Sequence, residues 1–256
     1  MKKKTRILVC NDDGVYGPGL RPLVRALSRL GAVTVVVPDQ DRSAVSHSLT
    51  LHAPLRVRTV GRNFYILNGS PADCARFGIL GILEERVDLV VSGINHGFNL
   101  GEDVTYSGTV AAAMEATLLD KPAIAVSRGI GPEGPASFAV AADFARKLGS
   151  EVLRRGLPQG VCLNVNVPAL PRARLRGVAV AGLGRRVYGR KITGRVDPRG
   201  HRYFWLAGTQ VSSISTPGSD VAAVEAGRIS ITPLHSDTTD RPAIQALRKW
   251  NLEVSR

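Results

Sequence analysis

The chain has 256 residues, of which 44% are hydrophobic, and a formal net charge of +13. This apolar content is ample for a real core, so we expect a soluble globular protein with one large α/β domain or two small ones. The apolar run behind the basic residues 1–5 is only about five residues long, which argues against a signal peptide, and no run is long enough to span a membrane. We therefore expect a cytoplasmic protein.

The cysteines and the basic residues are distributed unevenly. Cys10, Cys74 and Cys162 lie far apart, in apolar or helical patterns without metal-ligand spacing, and are predicted to be free core thiols. Residues 172–202 contain ten Arg or Lys against one acid, Asp197. Such a segment could attract nucleic acid or a phosphorylated substrate, or it could be a solvated arginine-rich surface.

The first predicted element is a strand that is followed directly by two acidic residues. Ile7–Cys10 is a run of four apolar residues, and it is followed by Asn11-Asp12-Asp13-Gly14. Such a strand is buried on both faces, as in a parallel sheet flanked by helices, and ligands of these sheets collect at the carboxyl ends of the strands. Adjacent carboxylates repel unless one is protonated or a cation lies between them, and Mg²⁺ and Mn²⁺ prefer oxygen ligands. A metal site is predicted; the alternative is that one Asp caps the next helix.

The following residues predict a βαβ opening. The spacing of apolar residues predicts an amphipathic helix from Leu20 to Leu30, which Gly31 ends. The apolar run Ala32–Val37 predicts a second buried strand. The first loop lacks the three-glycine dinucleotide fingerprint, which argues against a nicotinamide cofactor. The polar loop 38–52 follows the second strand and lies on the same rim, so its Ser43 is placed to reach the same ion.

A hairpin and a second strand–helix unit come next. Residues 55–67 alternate and turn like a β-hairpin, and Ser70 followed by Pro71 predicts the start of a helix that extends to about Leu83. Asp88–Ser92 is the next predicted parallel strand. It leads into a segment with two amides, Asn95 and Asn99, and Asn95 is a neutral oxygen donor for a metal.

A candidate phosphate-binding helix start follows. Tyr106-Ser107-Gly108-Thr109 leads into the strong helix former 110–116, whose first amides are exposed by small residues. A helix start of this kind binds phosphate through its free N–H groups and its dipole. We therefore predict that Asn99, Ser107, Gly108 and Thr109 bind the substrate.

The rest of the chain completes the core and adds a projecting segment. Strands are predicted at Ala123–Ser127, Val161–Val167 and Ile229–Leu234, and helices at Ala136–Leu153 and Pro242–Trp250. Residues 182–220 change to short, basic, glycine-punctuated segments, which predict hairpins that project from the sheet and serve oligomer contacts. The hypothesis is a single domain with a core of residues 1–181 and 221–256 and an arm of residues 182–220.

The order of these motifs resembles the SurE family of survival proteins. Seven blocks carry the likeness over nearly the whole chain: Asn11-Asp12-Asp13-Gly14, Pro38 through Ser43 to Thr50, Gly69-Ser70-Pro71-Ala72-Asp73-Cys74, Ser92-Gly93-Ile94-Asn95, Tyr106-Ser107-Gly108-Thr109-Val110, Asn164-Val165-Asn166-Val167-Pro168 and Ile229-Ser230-Ile231-Thr232-Pro233-Leu234. The resemblance implies a metal-dependent phosphatase of nucleoside 5′- and 3′-monophosphates, and also of short polyphosphate.

The resemblance also implies a site and an assembly. One Mg²⁺ or Mn²⁺ per subunit would be held by Asp12, Asp13, Ser43 and Asn95, and the two acids would be the catalytic residues. The expected fold is α/β, with a Rossmann-like, mostly parallel sheet, helices on both faces and a C-terminal β-hairpin extension exchanged between subunits of a homodimer or homotetramer. Ala44 stands where glycine is common in the family, which puts the shape of the Ser43 loop in question.

Three alternative functions each fail to account for some of these residues. A phosphoaspartate enzyme needs a nucleophilic carboxylate two residues before a second acid, but Asn11 holds that place before Asp13. A receiver domain needs an acceptor Asp at a later strand end, where this chain has Ser92 and Asn95. A non-enzymatic nucleotide or nucleic-acid binding protein would use the basic segment and Tyr188, Tyr203, Phe204 and Trp205 as stacking residues. It leaves the acidic pair unexplained, because bare carboxylates repel phosphates, so nucleic acid is not the expected partner.

Overall fold

A mixed sheet runs through the centre of the computed structural model, which describes residues 4–131, 135–189, 192–206, 211–250 and 252. The strands are β1 Arg6–Cys10, β2 Ala32–Pro38, β3 Val57–Gly61, β4 Phe64–Leu67, β5 Leu89–His96, β6 Ala123–Arg128, β7 Val161–Val167, β8 Val178–Val180, β9 Arg185–Tyr188, β10 Thr193–Val196, β11 Arg202–Trp205, β12 Val211–Ile214 and β13 Ile229–His235. The helices are α1 Leu20–Leu27, α2 Pro71–Phe77, α3 Gly108–Leu118, α4 Ala139–Arg155, α5 Asp220–Glu225 and α6 Arg241–Leu247.

Within this described part, nine strands pair in the order β3-β4-β2-β1-β5-β6-β7-β13-β8. The strands from β4 to β7 are mutually parallel, whereas β3 and β13 run antiparallel to their neighbours β4 and β7. The chain proceeds outward from β1 to β2 and β4, and then returns to β5 on the other side of β1. This reversal creates a topological switch point between β1 and β5, where ligands of open α/β sheets bind.

The alternation of side chains along the strands builds two apolar layers. Ile7 and Val9 of β1 pack towards α1 and α4, while Leu8 and Cys10 pack towards α2 and α3. Burial on both faces is the property that the unbroken apolar runs predict. The predicted α/β fold with helices on both faces is therefore confirmed, and all three cysteines are buried and free.

Some element boundaries differ from the predictions. Helix α1 ends at Leu27, and α4 starts at Ala139 because a 3₁₀ turn, Pro135–Phe138, occupies its predicted first turn. Ser70 is the N-cap of α2 in a full capping box with Asp73, as Ser-Pro predicted, but α2 passes into a π-helical turn after Phe77. Strand β5 continues past Ser92 to His96 and thereby delivers Asn95 on a strand rather than on a loop.

The arm forms two small antiparallel ribbons outside the main sheet. Strand β9 pairs with β12, and β10 pairs with β11. In the part of the arm that the structure describes, several apolar side chains are exposed, including Ile192, Val196, Phe204, Trp205 and Leu206. None of the helices in the described ranges is long and apolar enough to cross a membrane.

Candidate metal and phosphate site

The acidic pair lies at the switch point. Cys10 of β1 pairs with Ser92 of β5. The residues that follow Cys10 and Ser92 in the sequence therefore lie side by side at the same edge of the sheet. Asp12 comes two residues after Cys10, and Asn95 comes three residues after Ser92. The pairing of β5 with β6 shifts between Gly93 and Asn95, which turns the end of β5 out of the regular ladder. The sheet therefore brings Asp12 and Asn95 to one crevice.

Glycines let the acidic turn fold tightly. Gly14 has φ +74°, and a Cβ there would lie 2.9 Å from the Gln40 carbonyl oxygen, so both its conformation and its space require glycine. A Cβ on Gly17 would lie 2.7 Å from the Cβ of Asp13. The Asn11 amide closes the turn by donating to the Gly14 carbonyl at 2.8 Å. The Asn-Asp-Asp-Gly sequence thus sets the direction of both carboxylates.

Asp12 is bound to the start of α3. Its Oδ2 accepts a hydrogen bond from the Thr109 backbone N–H at 3.1 Å, and its Oδ1 accepts one from the Thr109 hydroxyl. A Cβ on Gly108 would lie 2.8 Å from the Cβ of Asp12, so only glycine permits this close approach. The positive end of a helix dipole stabilises an anion, and here that anion is a carboxylate of the chain itself.

The amides of α3 are less available than the sequence suggested. The Thr109 N–H is used by Asp12, and the Val110 N–H donates to the Ser107 hydroxyl at 3.1 Å. Short polar side chains compete for helix-start amides, and a pattern of small residues does not reveal this. Binding of substrate by Gly108 and Thr109 stays a prediction, and in this structure both support Asp12.

The surroundings of the two carboxylates raise the pKa of each of them. Burial raises the pKa of Asp12, with a further contribution from Asp41, although its bonds to Thr109 oppose the shift. Burial, and then the carboxylates of Asp12 and Asp41, raise the pKa of Asp13 to about 7. The Oδ2 of Asp13 is buried and has no hydrogen-bond partner among the described residues. A divalent cation would relieve the repulsion and satisfy this oxygen, so the residues fit the metal that the sequence predicts.

The donor set favours a hard metal. Within the described ranges, no group of three or more His, Cys, Asp or Glu side chains is placed to hold a metal by itself. The oxygens near Asp12 come instead from carboxylate, hydroxyl and amide groups. Such mixed oxygen ligands suit Mg²⁺ or Mn²⁺.

Ser43 reaches the site on a loop without regular secondary structure. The Arg42 N–H donates to the Asp12 carbonyl at 2.8 Å, which places Ser43 beside the acidic turn. The Ser43 hydroxyl donates to Asp41 at 2.6 Å, so Asp41 orients it. Ala44 adopts φ +57°, which explains why glycine is favoured at this place.

A buried carboxylate fastens the same loop to the core. Glu115 of α3 is only 2% exposed; its Oε2 lies 2.7 Å from His47 Nε2, and its Oε1 accepts from Arg76 of α2 at 2.5 Å. Burial alone would raise the pKa of Glu115, but the bonds from His47 and Arg76 hold it below its usual value. Further along, the Thr50 hydroxyl donates to Asp73 at 2.6 Å. These contacts hold the loop by its side chains.

A cavity of about 170 Å³ collects most of the predicted site residues. Its walls are formed by Asp12, Ser43, Ala44, Asn95, Phe98, Asn99, Asp103, Tyr106, Ser107 and Tyr188. Three of the four predicted metal ligands and two of the four predicted substrate-binding residues are among them. Asp13 lies next to the cavity in the adjacent turn rather than in its wall.

Asn99 is fixed by a network of amides. Its backbone N–H donates to Asn166 at 2.8 Å, and its carbonyl accepts from the amide groups of Asn164 and Asn166. Its own side-chain nitrogen donates to Ser127 at 2.7 Å. An amide nitrogen has two hydrogens, so one remains for a ligand. The polar residues of β7 are therefore supports for the site, which accounts for their presence in a buried strand.

The sequence does not indicate the roles of three residues: Asp41, which orients Ser43, and Asp103 and Tyr188, which lie in the cavity wall. Asp41 and Asp103 carry no motif signal, since single acids in polar segments usually are solvated. Asp103 accepts hydrogen bonds from Arg186 Nε at 3.1 Å and from the Tyr188 hydroxyl. Burial and this bond raise the pKa of Tyr188 to about 12. The sequence suggests Tyr188 only as a candidate stacking residue for nucleic acid on the arm, whereas the structure places it in the cavity wall.

Comparisons with known proteins identify the family of this chain. A family model described as "Survival protein SurE" matches residues 7–190. The chain belongs to the SurE family. A protein of Geobacter sulfurreducens named 5′-nucleotidase SurE is 50% identical over 250 residues, which cover 98% of this chain and 95% of that protein. A protein of Geotalea daltonii with the same name is 50% identical over 96% of this chain and 99% of its own length.

A solved structure shares the fold. The crystal structure of the SurE protein from Aquifex aeolicus has a TM-score of 0.82 and 39% identity, and covers 95% of this chain and 98% of its own. Membership of the SurE family was predicted from seven short blocks, and it is confirmed over nearly the whole chain.

The role of Glu115 in holding the loop of residues 38–52 can be tested by measuring the free energy of unfolding. Glu115→Ala should lower the free energy of unfolding by about 2 kcal/mol, because it leaves Arg76 and His47 without their buried partner. Urea unfolding measures this change, and hydrogen exchange should show faster exchange in residues 39–56. Glu151→Ala, which removes exposed ion pairs with Arg154 and Arg155, should leave the urea midpoint nearly unchanged. An equal loss of unfolding free energy in Glu115→Ala and Glu151→Ala would contradict the proposed role of Glu115 in holding the loop.

Proposed function

We propose that this SurE-family protein is a metal-dependent nucleotidase that hydrolyses nucleoside monophosphates to nucleoside and phosphate. The observation that carries the proposal is the acidic pair at the switch point, beside the Ser107 end of α3: Asp12 is buried, and Asp13 Oδ2 has no hydrogen-bond partner among the described residues. The relatives named 5′-nucleotidase SurE support the reaction. We also expect the protein to hydrolyse both 5′- and 3′-monophosphates, and short polyphosphate.

The proposed metal ligands are Asp12, Asp13, Ser43 and Asn95, which would hold one Mg²⁺ or Mn²⁺ per subunit. When bound, such an ion polarises the phosphoryl group and lowers the pKa of water. The ligands differ in the support they receive: Asp12 is held by Thr109, and Ser43 is held by Asp41. Supported ligands are already oriented before the substrate arrives, which lowers the cost of binding.

Phosphate would be oriented by residues of the cavity wall. The Ser107 hydroxyl accepts from Val110, so its own hydrogen is left to donate to a phosphate oxygen. Asn99 can donate its second amide hydrogen in the same way. Asp13 is proposed to orient the attacking water, because a carboxylate that holds the metal would also lie beside a water bound to it. Water then attacks phosphorus, the bond to the nucleoside oxygen breaks, and that oxygen takes up a proton.

A non-enzymatic nucleic-acid binding protein fits the site less well. Asp12, Asp13, Asp41 and Asp103 surround the cavity or lie next to it, and without a cation they repel a phosphodiester chain. A nucleotide therefore needs the metal to approach. Both a cytoplasmic location and an assembly of two or four subunits stay predictions.

Activity of two isosteric variants tests the proposed ligands. Wild-type protein with Mg²⁺ or Mn²⁺ should release phosphate from a panel of 5′- and 3′-monophosphates. Asp12→Asn and Asp13→Asn should each lower kcat/KM by about 100-fold or more, because they remove a ligand charge that acts at the reacting group. Asp120→Asn, at an exposed position away from the cavity, is the matched control and should retain full activity. An Asp12→Asn protein with wild-type turnover at all metal concentrations would exclude the site.

The arm is proposed to form the subunit contact. Its exposed apolar residues, such as Trp205 at 60% and Leu206 at 79%, need a partner surface. Replacing residues 192–206 by a short glycine linker keeps Tyr188 and the β9–β12 ribbon but removes these side chains. Light scattering after size exclusion should then show a smaller assembly than the wild-type dimer or tetramer. A truncated protein with the parent's mass would place the contact elsewhere.

A further inference from the structure

The cavity is too small for a whole nucleotide. Its volume of about 170 Å³ is below the roughly 300–1,000 Å³ of typical pockets for drug-sized ligands. The volume suits a phosphoryl group between the carboxylates and Ser107. The sugar and base of a nucleotide must therefore lie at the mouth of the cavity, where other residues contact them.

Two tyrosines with exposed rings are at this mouth. Tyr106 is 59% exposed and directly precedes Ser107, and Tyr188 of β9 is 44% exposed. Both belong to the wall of the cavity. A third aromatic residue, Phe98, packs against the buried cluster of Leu100 and Val221, which indicates a structural role.

The position of Tyr188 is fixed with respect to the phosphate end of the site. Its hydroxyl donates to Asp103, and Arg186 holds the other oxygen of the same carboxylate at 3.1 Å. The carbonyl of Asp103 in turn accepts from the Ser107 N–H at 3.0 Å. A short chain of bonds thus links the tyrosine ring to Ser107, while one part of the ring stays open to solvent. A ring that is held in place loses little entropy when a flat ligand stacks on it.

We propose that Tyr188, together with Tyr106, binds the nucleobase of the substrate by stacking, so that an arm residue sets the preference for nucleotides over other phosphate monoesters. The proposal rests on the nucleotidase function proposed above and assigns recognition of the nucleoside part. Every base offers a π-face, so stacking favours nucleotides without a strong choice among bases. The competing interpretation is that Tyr188 only fastens the arm to Asp103.

Two substitutions at Tyr188 separate these interpretations. Tyr188→Ala removes the ring and the bond to Asp103, whereas Tyr188→Phe keeps the ring and removes only the bond. Tyr203→Ala is the matched control, since Tyr203 is a partly exposed arm tyrosine that is not in the cavity wall. Light scattering on all three proteins registers any change of assembly.

The kinetic readout compares adenosine 5′-monophosphate with ribose 5-phosphate, which lacks the base. Tyr188→Ala should raise KM for the nucleotide about 10-fold, within the range of base–aromatic stacking, and leave KM for ribose 5-phosphate unchanged. Tyr203→Ala should retain the wild-type ratio of the two KM values, and Tyr188→Phe, which keeps the ring but loses the bond that fixes it, should lie between the wild-type protein and Tyr188→Ala. Equal losses on both substrates in Tyr188→Ala, or a change of the ratio in Tyr188→Phe as large as that in Tyr188→Ala, would overturn the stacking role.

Calorimetric binding of adenosine 5′-monophosphate with Mg²⁺ keeps this test separate from turnover. Weaker binding of the nucleotide to Tyr188→Ala than to Tyr203→Ala supports stacking even if the wild-type protein releases no phosphate, a result that would refute only the hydrolytic function. Equal affinity of these two variants for the nucleotide would overturn the stacking proposal by itself.

Discussion

The site depends on the contact between Asp12 and the start of α3. Asp12 follows a strand that is buried on both faces, and its carboxylate would be costly to bury there without partners. Thr109 supplies two hydrogen bonds, and Gly108 allows the helix to approach. With Asp12 held in this way, Asp13 lies beside it with a raised pKa and with one oxygen that has no hydrogen-bond partner among the described residues. The fold therefore maintains a concentration of negative charge that only a cation or a proton neutralises.

The remaining parts of the site are organised around this pair by contacts over long sequence separations. Glu115 and Asp73 hold the loop that carries Ser43, and the amides of β7 hold Asn99. Asp103 connects the α3 end of the cavity to the arm through Arg186 and Tyr188. The arm thus contributes to the cavity wall as well as exposing an apolar surface, which makes it relevant to substrate recognition within a single chain.

The sequence predicts the strands, and the meeting of Asp12, Ser43 and Asn95 at one cavity, more completely than the supports of the site. Unbroken apolar runs such as Ile7–Cys10 require burial on both faces, and the carboxyl ends of parallel strands meet at one rim, so Asp12 and Asn95 could be placed together. The register that brings Thr109 onto Asp12 follows from tertiary packing between β1 and α3, and no local pattern encodes it. Asp41, Asp103 and Tyr188 are ordinary polar residues in the sequence, and only their contacts distinguish them.

Titration of Mn²⁺ into metal-free protein by calorimetry tests the central claim most directly, because it measures cation binding by Asp12 and Asp13 without any substrate. The account predicts about one ion bound per chain in the wild-type protein, and loss of this binding in a protein with Asp12 and Asp13 both changed to Asn. The doubly substituted protein should remain folded, since neutralising the pair removes repulsion. Unchanged Mn²⁺ affinity in that variant would contradict the account.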